Sequence, residues 1–132
     1  GLSRETVYLT HAVKHFHFET RQLQRVYRSP SLVHIEACKG WLQQELEALA
    51  PRVVLALGRS AATALGLKGD ALPYDAEPHA LKGPGYWIVP TWHPDFALRS
   101  PDPAARTPAK AHITASLVLA RQLADPSYCS PA

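Results

Sequence analysis

The sequence lacks methionine, contains two cysteines and has no long apolar run. Two cysteines, Cys38 and Cys129, cannot form a disulfide framework, which excludes a small secreted fold held by disulfides. No apolar stretch approaches the roughly 18 residues that cross a bilayer, so we expect no membrane partner. The opening residues also lack the basic and apolar segments of a signal peptide. Together these absences favour a reducing, cytoplasmic location.

Charge is modest as well, at 19% charged residues against 46% hydrophobic ones, which excludes a disordered chain. The net charge of +3 permits a polyanion as partner without requiring one. A length of 132 residues suits a single domain with its own core. We therefore expect one domain over residues 1–125, a flexible tail over residues 126–132, and a monomer.

Three apolar stretches have the β-branched and aromatic composition of buried strands. They are Val7–Val13, Val53–Leu57 and Tyr86–Val89, the last ending at Pro90. Continuous apolar strands separated by helices are typical of a parallel sheet covered on both faces. The predicted fold class is therefore α/β: a three-layer sandwich with a short, mostly parallel central sheet flanked by helices.

Helix starts are indicated where Ser or Thr precedes proline. Ser29-Pro30 is predicted to begin a helix that Pro51 stops, Thr107-Pro108 is predicted to begin the last helix, and Ser60 is predicted to cap a short helix through Leu65. The apolar stripes of the two longer helices comprise Leu32, Ile35, Cys38, Leu42, Leu46 and Leu49, and Ile113, Leu117, Ala120 and Ala124. The segments between are predicted as loops: Arg21–Arg28, Ser100–Arg106, and Leu67–Gly85 with room for a short edge strand.

Ligands in open parallel sheets bind at the carboxyl ends of strands. Three such ends are expected to converge, at His11–His17, Gly58–Ser60 and Thr91–Pro94. The last belongs to the stretch YWIVPTWHPDFALR, in which a strand delivers His93 to its end with a rigid proline behind it. His93 is therefore the first candidate for a functional residue, and a core histidine satisfied by backbone groups is the alternative.

Histidines alternate near the end of the first predicted strand. If the chain stays extended there, His11, His15 and His17 share one face, because strand side chains alternate with a period of two. Together with Cys38 they would form a tetrahedral zinc set. Alternate residues lie about 6.7 Å apart along a strand, which lets His15 and His17 share an ion but leaves His11 distant. The alternative is that these side chains fill the core.

Three segments together resemble the iron–sulfur uracil-DNA glycosylases, most closely family 4 and its crosslinking, UdgX-type relative. They are VYLTHAVKHF, SPSLVHIEACKGWLQQELEALAPRVVLALGRSAATALGL and VPTWHPDFALR, in the family's order and spacing. The resemblance covers about residues 7–124 and is carried by the AC-x-x-WL-x-x-EL block together with the HP motif. It implies an α/β fold with a four-stranded parallel sheet, and DNA as the partner.

The resemblance implies roles for individual residues. His93, as the histidine of the HP motif, would stabilise charge on a departing base, and His11 would contact that base. Phe96 and Leu98, which follow the motif, would wedge into the duplex in place of the extruded base. The alternative is that both side chains belong to the core. Four basic residues would contact phosphates: Arg99, Lys14, Arg25 and Arg28.

The resemblance also implies a [4Fe–4S] cluster in the complete protein, with His15 and Cys38 at two ligand positions. The family's Cys-x-x-Cys pair and its first motif, Gly-Glu-x-Pro-Gly with a water-positioning acid, are not found in these residues. Two ligands do not hold such a cluster, so none is expected from this chain alone. We expect a missing amino-terminal segment, a separate chain that supplies it, or a protein that has dispensed with the cluster.

Two positions depart from the family pattern. His11 stands where many relatives have the asparagine that reads uracil, and a histidine cannot offer the paired donor and acceptor of an amide. Tyr27 stands where the UdgX-type relative has its trapping histidine, so covalent capture is not expected there. Two hypotheses follow. The chain is a glycosylase of base-excision repair if the missing acid is supplied, or it is a catalytically inactive DNA-binding or regulatory relative. A structural module that assembles with a separate amino-terminal half is a third possibility.

Overall fold

The computed structural model describes residues 2–15, 17–68 and 77–128. The chain divides into two compact units, Gly1–Leu49 and Ala50–Ala132, which we call the first and second units. Cys129 and parts of the predicted Leu67–Gly85 loop and of the tail over residues 126–132 lie outside the described residues. No helix within the described ranges is long and apolar enough to cross a membrane.

A helix and a hairpin dominate the first unit. Helix α1 spans Leu32–Leu49 and buries Ile35, Cys38 and Leu42, as the apolar stripe predicts, whereas Leu32 is 66% exposed. The helix begins two residues later than the predicted start at Pro30. The Ser31 carbonyl accepts a hydrogen bond from the Ile35 N–H at 3.1 Å.

The predicted loop Arg21–Arg28 is wrong, because most of it belongs to an antiparallel hairpin. Strand β1 (Phe18–Arg21) pairs with β2 (Gln24–Tyr27), and Arg21 faces Gln24 across a two-residue turn. The turn residues Gln22 and Leu23 have φ angles of 47° and 65°. Positive φ at both positions suits the twist of a hairpin but favours Asn and Gly, so this sequence carries no turn signal.

The predicted buried strand Val7–Val13 is also wrong. A short 3-10 helix, Arg4–Thr6, precedes an irregular segment in which Tyr8 is 58% and Leu9 66% exposed. The segment is tied to α1 through its side chains, because the Glu45 carboxylate accepts hydrogen bonds from Tyr8 and Thr10, each at 3.2 Å. Strand-forming residues need a neighbouring strand, and within the described part of the first unit β1 and β2 pair with each other.

The second unit contains a three-stranded sheet in the order β3-β5-β4. Strands β3 (Val53–Leu57) and β5 (Trp87–Thr91) run parallel, and the two-residue edge strand β4 (Leu81–Lys82) is antiparallel to β5. Helices pack on this sheet, so the α/β class with a short, mostly parallel sheet is confirmed. Among the described residues this sheet has three strands, whereas the resemblance implies a sheet of four.

Strand β5 continues through Pro90 to Thr91, although the sequence predicts that it ends at the proline. The Trp87 N–H donates to the Arg52 carbonyl on the β3 side at 2.9 Å. Because donors alternate along a strand, the Pro90 nitrogen faces the other side, where β4 pairs with Ile88 and Trp87 and extends no further. The missing N–H of Pro90 therefore breaks no ladder bond.

Three helices complete the second unit. Helix α2 (Arg59–Ala64) begins directly after Gly58, which makes no side-chain cap, so the predicted Ser60 cap is wrong. Helix α3 spans Pro94–Arg99 and was not expected from the sequence. Helix α4 spans Pro103–Ala124, and α2 packs on β3, α4 on β3 and β5, and α3 on α4.

Helix α4 starts ahead of the predicted Thr107-Pro108 signal. The Asp102 side chain accepts from the Ala104 N–H at 2.9 Å, and Pro103 occupies the first turn, so Asp102-Pro103 provides the same cap-plus-proline signal earlier. Pro108 then lies inside the helix. The buried face also differs from the predicted stripe, since Leu117 is 36% exposed. The buried residues of α4 are Ala109, Ser116 and Leu123.

Candidate functional site

His93 caps the amino terminus of α3. Its backbone is extended (φ −71°, ψ 136°), and its Nδ1 accepts a hydrogen bond from the Asp95 N–H at 3.1 Å. A backbone N–H can only donate, so Nδ1 carries the lone pair and the proton of the neutral imidazole lies on Nε2. The His93 side chain is exposed, which leaves this Nε2–H as a donor directed by the helix cap.

Gly58 packs directly against His93. A Cβ atom placed on Gly58 would lie 2.9 Å from the His93 Cβ, closer than side chains approach one another. The glycine has φ 88° and ψ 175°, a region that residues with a side chain essentially never occupy. Its N–H donates to the Thr91 carbonyl at 2.9 Å. The ends of β3 and β5 therefore meet at Gly58 and His93.

A buried polar cluster lies behind the turn that carries His93. Thr91 Oγ1 is 2.9 Å and Ser116 Oγ is 3.3 Å from His112 Nδ1. Thr91 is 4% exposed and Ser116 is fully buried, so the hydroxyls reach the imidazole away from solvent. The cluster ties the end of β5 to α4 two residues before His93. Sequence reasoning missed it, and its signal is a set of polar residues at core positions of a strand and a helix.

The segment after the HP motif is helical. Phe96 is half-buried and stacks on Trp92, with ring centroids 4.4 Å apart and planes tilted by 16°. Leu98 is 63% exposed. Arg99 forms an ion pair with Asp95 at 3.0 Å and keeps 80% of its side chain exposed. Of the two residues predicted as a wedge, Leu98 is the one that presents its side chain to solvent.

The sequence matches the uracil DNA glycosylase superfamily over residues 1–117. The chain belongs to the uracil DNA glycosylase superfamily. The matched range includes every residue predicted for the site, from His11 to Arg99. No curated protein matches the sequence with significance. The finer assignment to the iron–sulfur, UdgX-type branch of the superfamily stays a prediction.

Three of the four residues predicted to contact phosphate, Lys14, Arg25 and Arg28, have partners within the first unit. Lys14 pairs with Glu45 and donates to Thr10 Oγ1 at 2.8 Å. Hydrogen bonding to the Lys14 ammonium is the main cause that holds the pKa of the Glu45 carboxyl below its ordinary value. Arg25 lies over the Phe18 ring at 4.7 Å.

Arg28 also has an acidic partner. It pairs with Glu19, which also pairs with Arg21. The guanidinium of Arg28, and then that of Arg21, lowers the pKa of Glu19, and the same contact raises the pKa of Arg28. A phosphate would have to compete with this carboxylate for Arg28. His11, the predicted base contact, is exposed in the first unit.

His15 and Cys38, the two predicted cluster ligands, are in contact. Cys38 is 5% exposed, and its Sγ lies 3.4 Å from His15 Nδ1 and accepts the Lys14 N–H at 3.3 Å. Sequence reasoning missed His34, whose ring centroid lies 5.7 Å from that of His15 and 4.1 Å from that of His17. Burial, followed by the charges of His17 and His15, lowers the pKa of His34.

This cluster of imidazoles and one thiol does not make a complete ligand set. In the ranges 2–15, 17–68 and 77–128, no group of three or more His, Cys, Asp or Glu side chains is placed to hold a metal ion. A [4Fe–4S] cluster needs a ligand on each of its irons, and the described residues offer the His15 and Cys38 pair. These residues do not fit the cluster by themselves, and no step of the chemistry below depends on it.

Proposed function

We propose that this superfamily member is a glycosylase of DNA base-excision repair, which hydrolyses the N-glycosidic bond of uracil or a related base. The bond breaks with its electron pair going to the base, and water supplies a hydroxyl to the sugar C1′ and a proton to the base. The superfamily match supports the reaction class. The observation that carries the proposal is the His93 Nε2–H, left free because Nδ1 accepts the Asp95 N–H.

The donor suits the charge that develops in the reaction. As the bond breaks, the base becomes an anion and its carbonyl oxygen gains negative charge. A fixed N–H directed at that oxygen stabilises the transition state more than the ground state. A single such donor contributes about 3–4 kcal/mol in enzymes that stabilise oxyanions. The helix cap, Gly58 and the Thr91–His112 contact all limit the movement of His93.

Binding of DNA is the second part of the proposal. His11 would contact the extruded base, as the resemblance implies, and Leu98 would occupy the space it leaves in the stack. Arg99, with 80% of its side chain exposed, would contact a phosphate, together with Lys14, Arg25 and Arg28. The resemblance assigns the water-positioning acid to no residue of this chain, so the full-length gene product is the protein to assay.

A catalytically inactive DNA-binding or regulatory relative is the second candidate. His11 in place of the uracil-reading asparagine favours it, because an imidazole cannot offer the paired donor and acceptor of an amide. This candidate predicts affinity for DNA that falls with salt, without release of a base.

Release of free base from a uracil-containing single-stranded oligonucleotide distinguishes the two candidates. The full-length protein is expected to release uracil, detected by mass spectrometry, and to leave an alkali-labile site. His93→Ala should lose this activity, whereas His79→Ala, a histidine whose Nδ1 lies 3.4 Å from the Glu77 carbonyl, should keep it. Binding without any release, by a correctly folded protein, would favour the inactive relative.

A further inference from the structure

The tip of the β1–β2 hairpin holds a leucine in a backbone conformation that leucine avoids. Leu23 has φ 65°, and Gln22 before it has φ 47°. For a residue with a Cβ atom, the left-handed region costs about 1–2 kcal/mol, and glycine or asparagine fills such turns in most hairpins. Local backbone preference therefore does not explain a leucine at this position.

Packing does not explain the leucine either. Leu23 is 98% exposed, the highest exposure among the large apolar residues of the described chain. A side chain that buries nothing gains nothing from being apolar, and an exposed turn would favour a polar residue. Strain of this kind is typical of positions retained for function.

Basic residues surround the tip. Arg21 and Arg25 lie on the two strands beside the turn, and Arg28 follows β2. Glu19 is the one acidic residue of the hairpin and pairs with both Arg21 and Arg28, so residues 18–28 contain three arginines and one carboxylate. Arg25 is held over the Phe18 ring. The hairpin and Arg28 after it therefore carry a net positive charge close to an apolar tip.

We propose that the hairpin is a DNA-probing arm, in which Leu23 inserts between stacked bases while the arginines hold the phosphates on either side. Leucine is among the side chains that wedge base steps apart, and unstacking a step costs a few kcal/mol that added contacts must offset. The arm deepens the proposed function, because it rests on DNA as the partner. It is separate from the Phe96–Leu98 segment on α3.

The test uses the full-length protein and a uracil-containing duplex with 2-aminopurine beside the target base, whose fluorescence rises on unstacking. Wild type should raise the fluorescence. Leu23→Gly should abolish the rise and weaken binding about tenfold, which is the loss expected for one wedge contact worth about 1.4 kcal/mol. Leu23→Phe should preserve the rise, because a second apolar side chain can take the same place in the stack.

Stability provides the distinguishing readout. Leu23→Gly removes the strain of a positive φ and should raise the folded-to-unfolded ratio about threefold, measured as a higher urea midpoint. Leu32→Ala, at a 66% exposed position outside the hairpin, should leave fluorescence and binding unchanged. A protein stabilised by Leu23→Gly with an undiminished fluorescence rise would overturn the arm and leave the glycosylase proposal intact. A wild-type protein without affinity for DNA would overturn both.

Discussion

Replacing Gly58 by alanine tests whether this glycine seats His93. The substitution places a side chain on a residue with φ 88° and ψ 175°, which costs about 1–3 kcal/mol. The new Cβ would also lie 2.9 Å from the His93 Cβ, and overpacking of this kind costs about 1–3 kcal/mol. Taking both together, Gly58→Ala should lower the free energy of unfolding by about 2–6 kcal/mol.

Two other glycines separate the cost of the backbone conformation from the cost of the steric clash. Gly66 has φ 84° with no atom within 4 Å of an added Cβ, so Gly66→Ala tests a positive φ without a clash and should cost about 1–2 kcal/mol. Gly40 lies in α1 with open space around it, so Gly40→Ala should stabilise the protein by about 0.5–1 kcal/mol.

Urea unfolding gives the change in unfolding free energy for each of the three glycine variants, provided that the dependence on urea concentration is the same as in wild type. Amide hydrogen exchange at Asp95 reports on the hydrogen bond that this N–H donates to His93. Gly58→Ala should speed exchange of the Asp95 amide, because His93 must move away and release its Nδ1 acceptor. If Gly58→Ala costs no more than Gly66→Ala and the Asp95 amide stays protected, Gly58 does not position His93.

Three further predictions concern other contacts. Thr91→Val, which removes a hydroxyl from His112 in a buried site, should destabilise the protein by about 1–3 kcal/mol in urea unfolding. Glu45 has a lowered pKa, so its contribution to stability is present above the unfolded value of about 4.3 and is lost as pH falls through the folded value. Glu45→Gln should make the urea midpoint less dependent on pH over that acidic range. Arg99→Ala should reduce the slope of log affinity for DNA against log salt by about one.

Each of these predictions has a matched control. Thr114→Val removes an exposed hydroxyl that donates to the Lys110 carbonyl on α4, and should change stability little. Glu47→Gln, at an exposed position of α1, should leave the pH profile as it is. Arg121→Ala, exposed on α4, should leave the salt slope as it is. Equal effects in any variant and its control would contradict the corresponding prediction.

The parts of the fold that follow local rules were predictable from sequence. The strand Val53–Leu57 appears as predicted, and the stripe of Ile35, Cys38 and Leu42 is buried, because an apolar run or a helical period decides those elements. Val7–Val13 fails because a strand depends on a neighbour that composition does not reveal. The hairpin was missed because Gln22 and Leu23 occupy a turn without its usual residues.

The candidate site was predictable in outline and not in detail. A histidine at a strand end followed by proline identified His93 as the candidate, and the structure places Gly58 against it. The proton position on His93 could not be foreseen, because it depends on the unexpected helix α3 and its Asp95 N–H. Thr91 and His112 are 21 positions apart, and their contact depends on how α4 lies on β5, which the intervening sequence does not specify.

The most direct test of the account is the single-turnover rate of uracil release from single-stranded DNA by the full-length protein. His93→Ala should lower this rate by about 10²–10³-fold, the loss typical of one oxyanion donor. His93→Gln, which retains an N–H donor on a side chain of similar reach, should recover part of the loss. A His93→Ala rate equal to that of wild type would contradict the role assigned to the His93 Nε2–H.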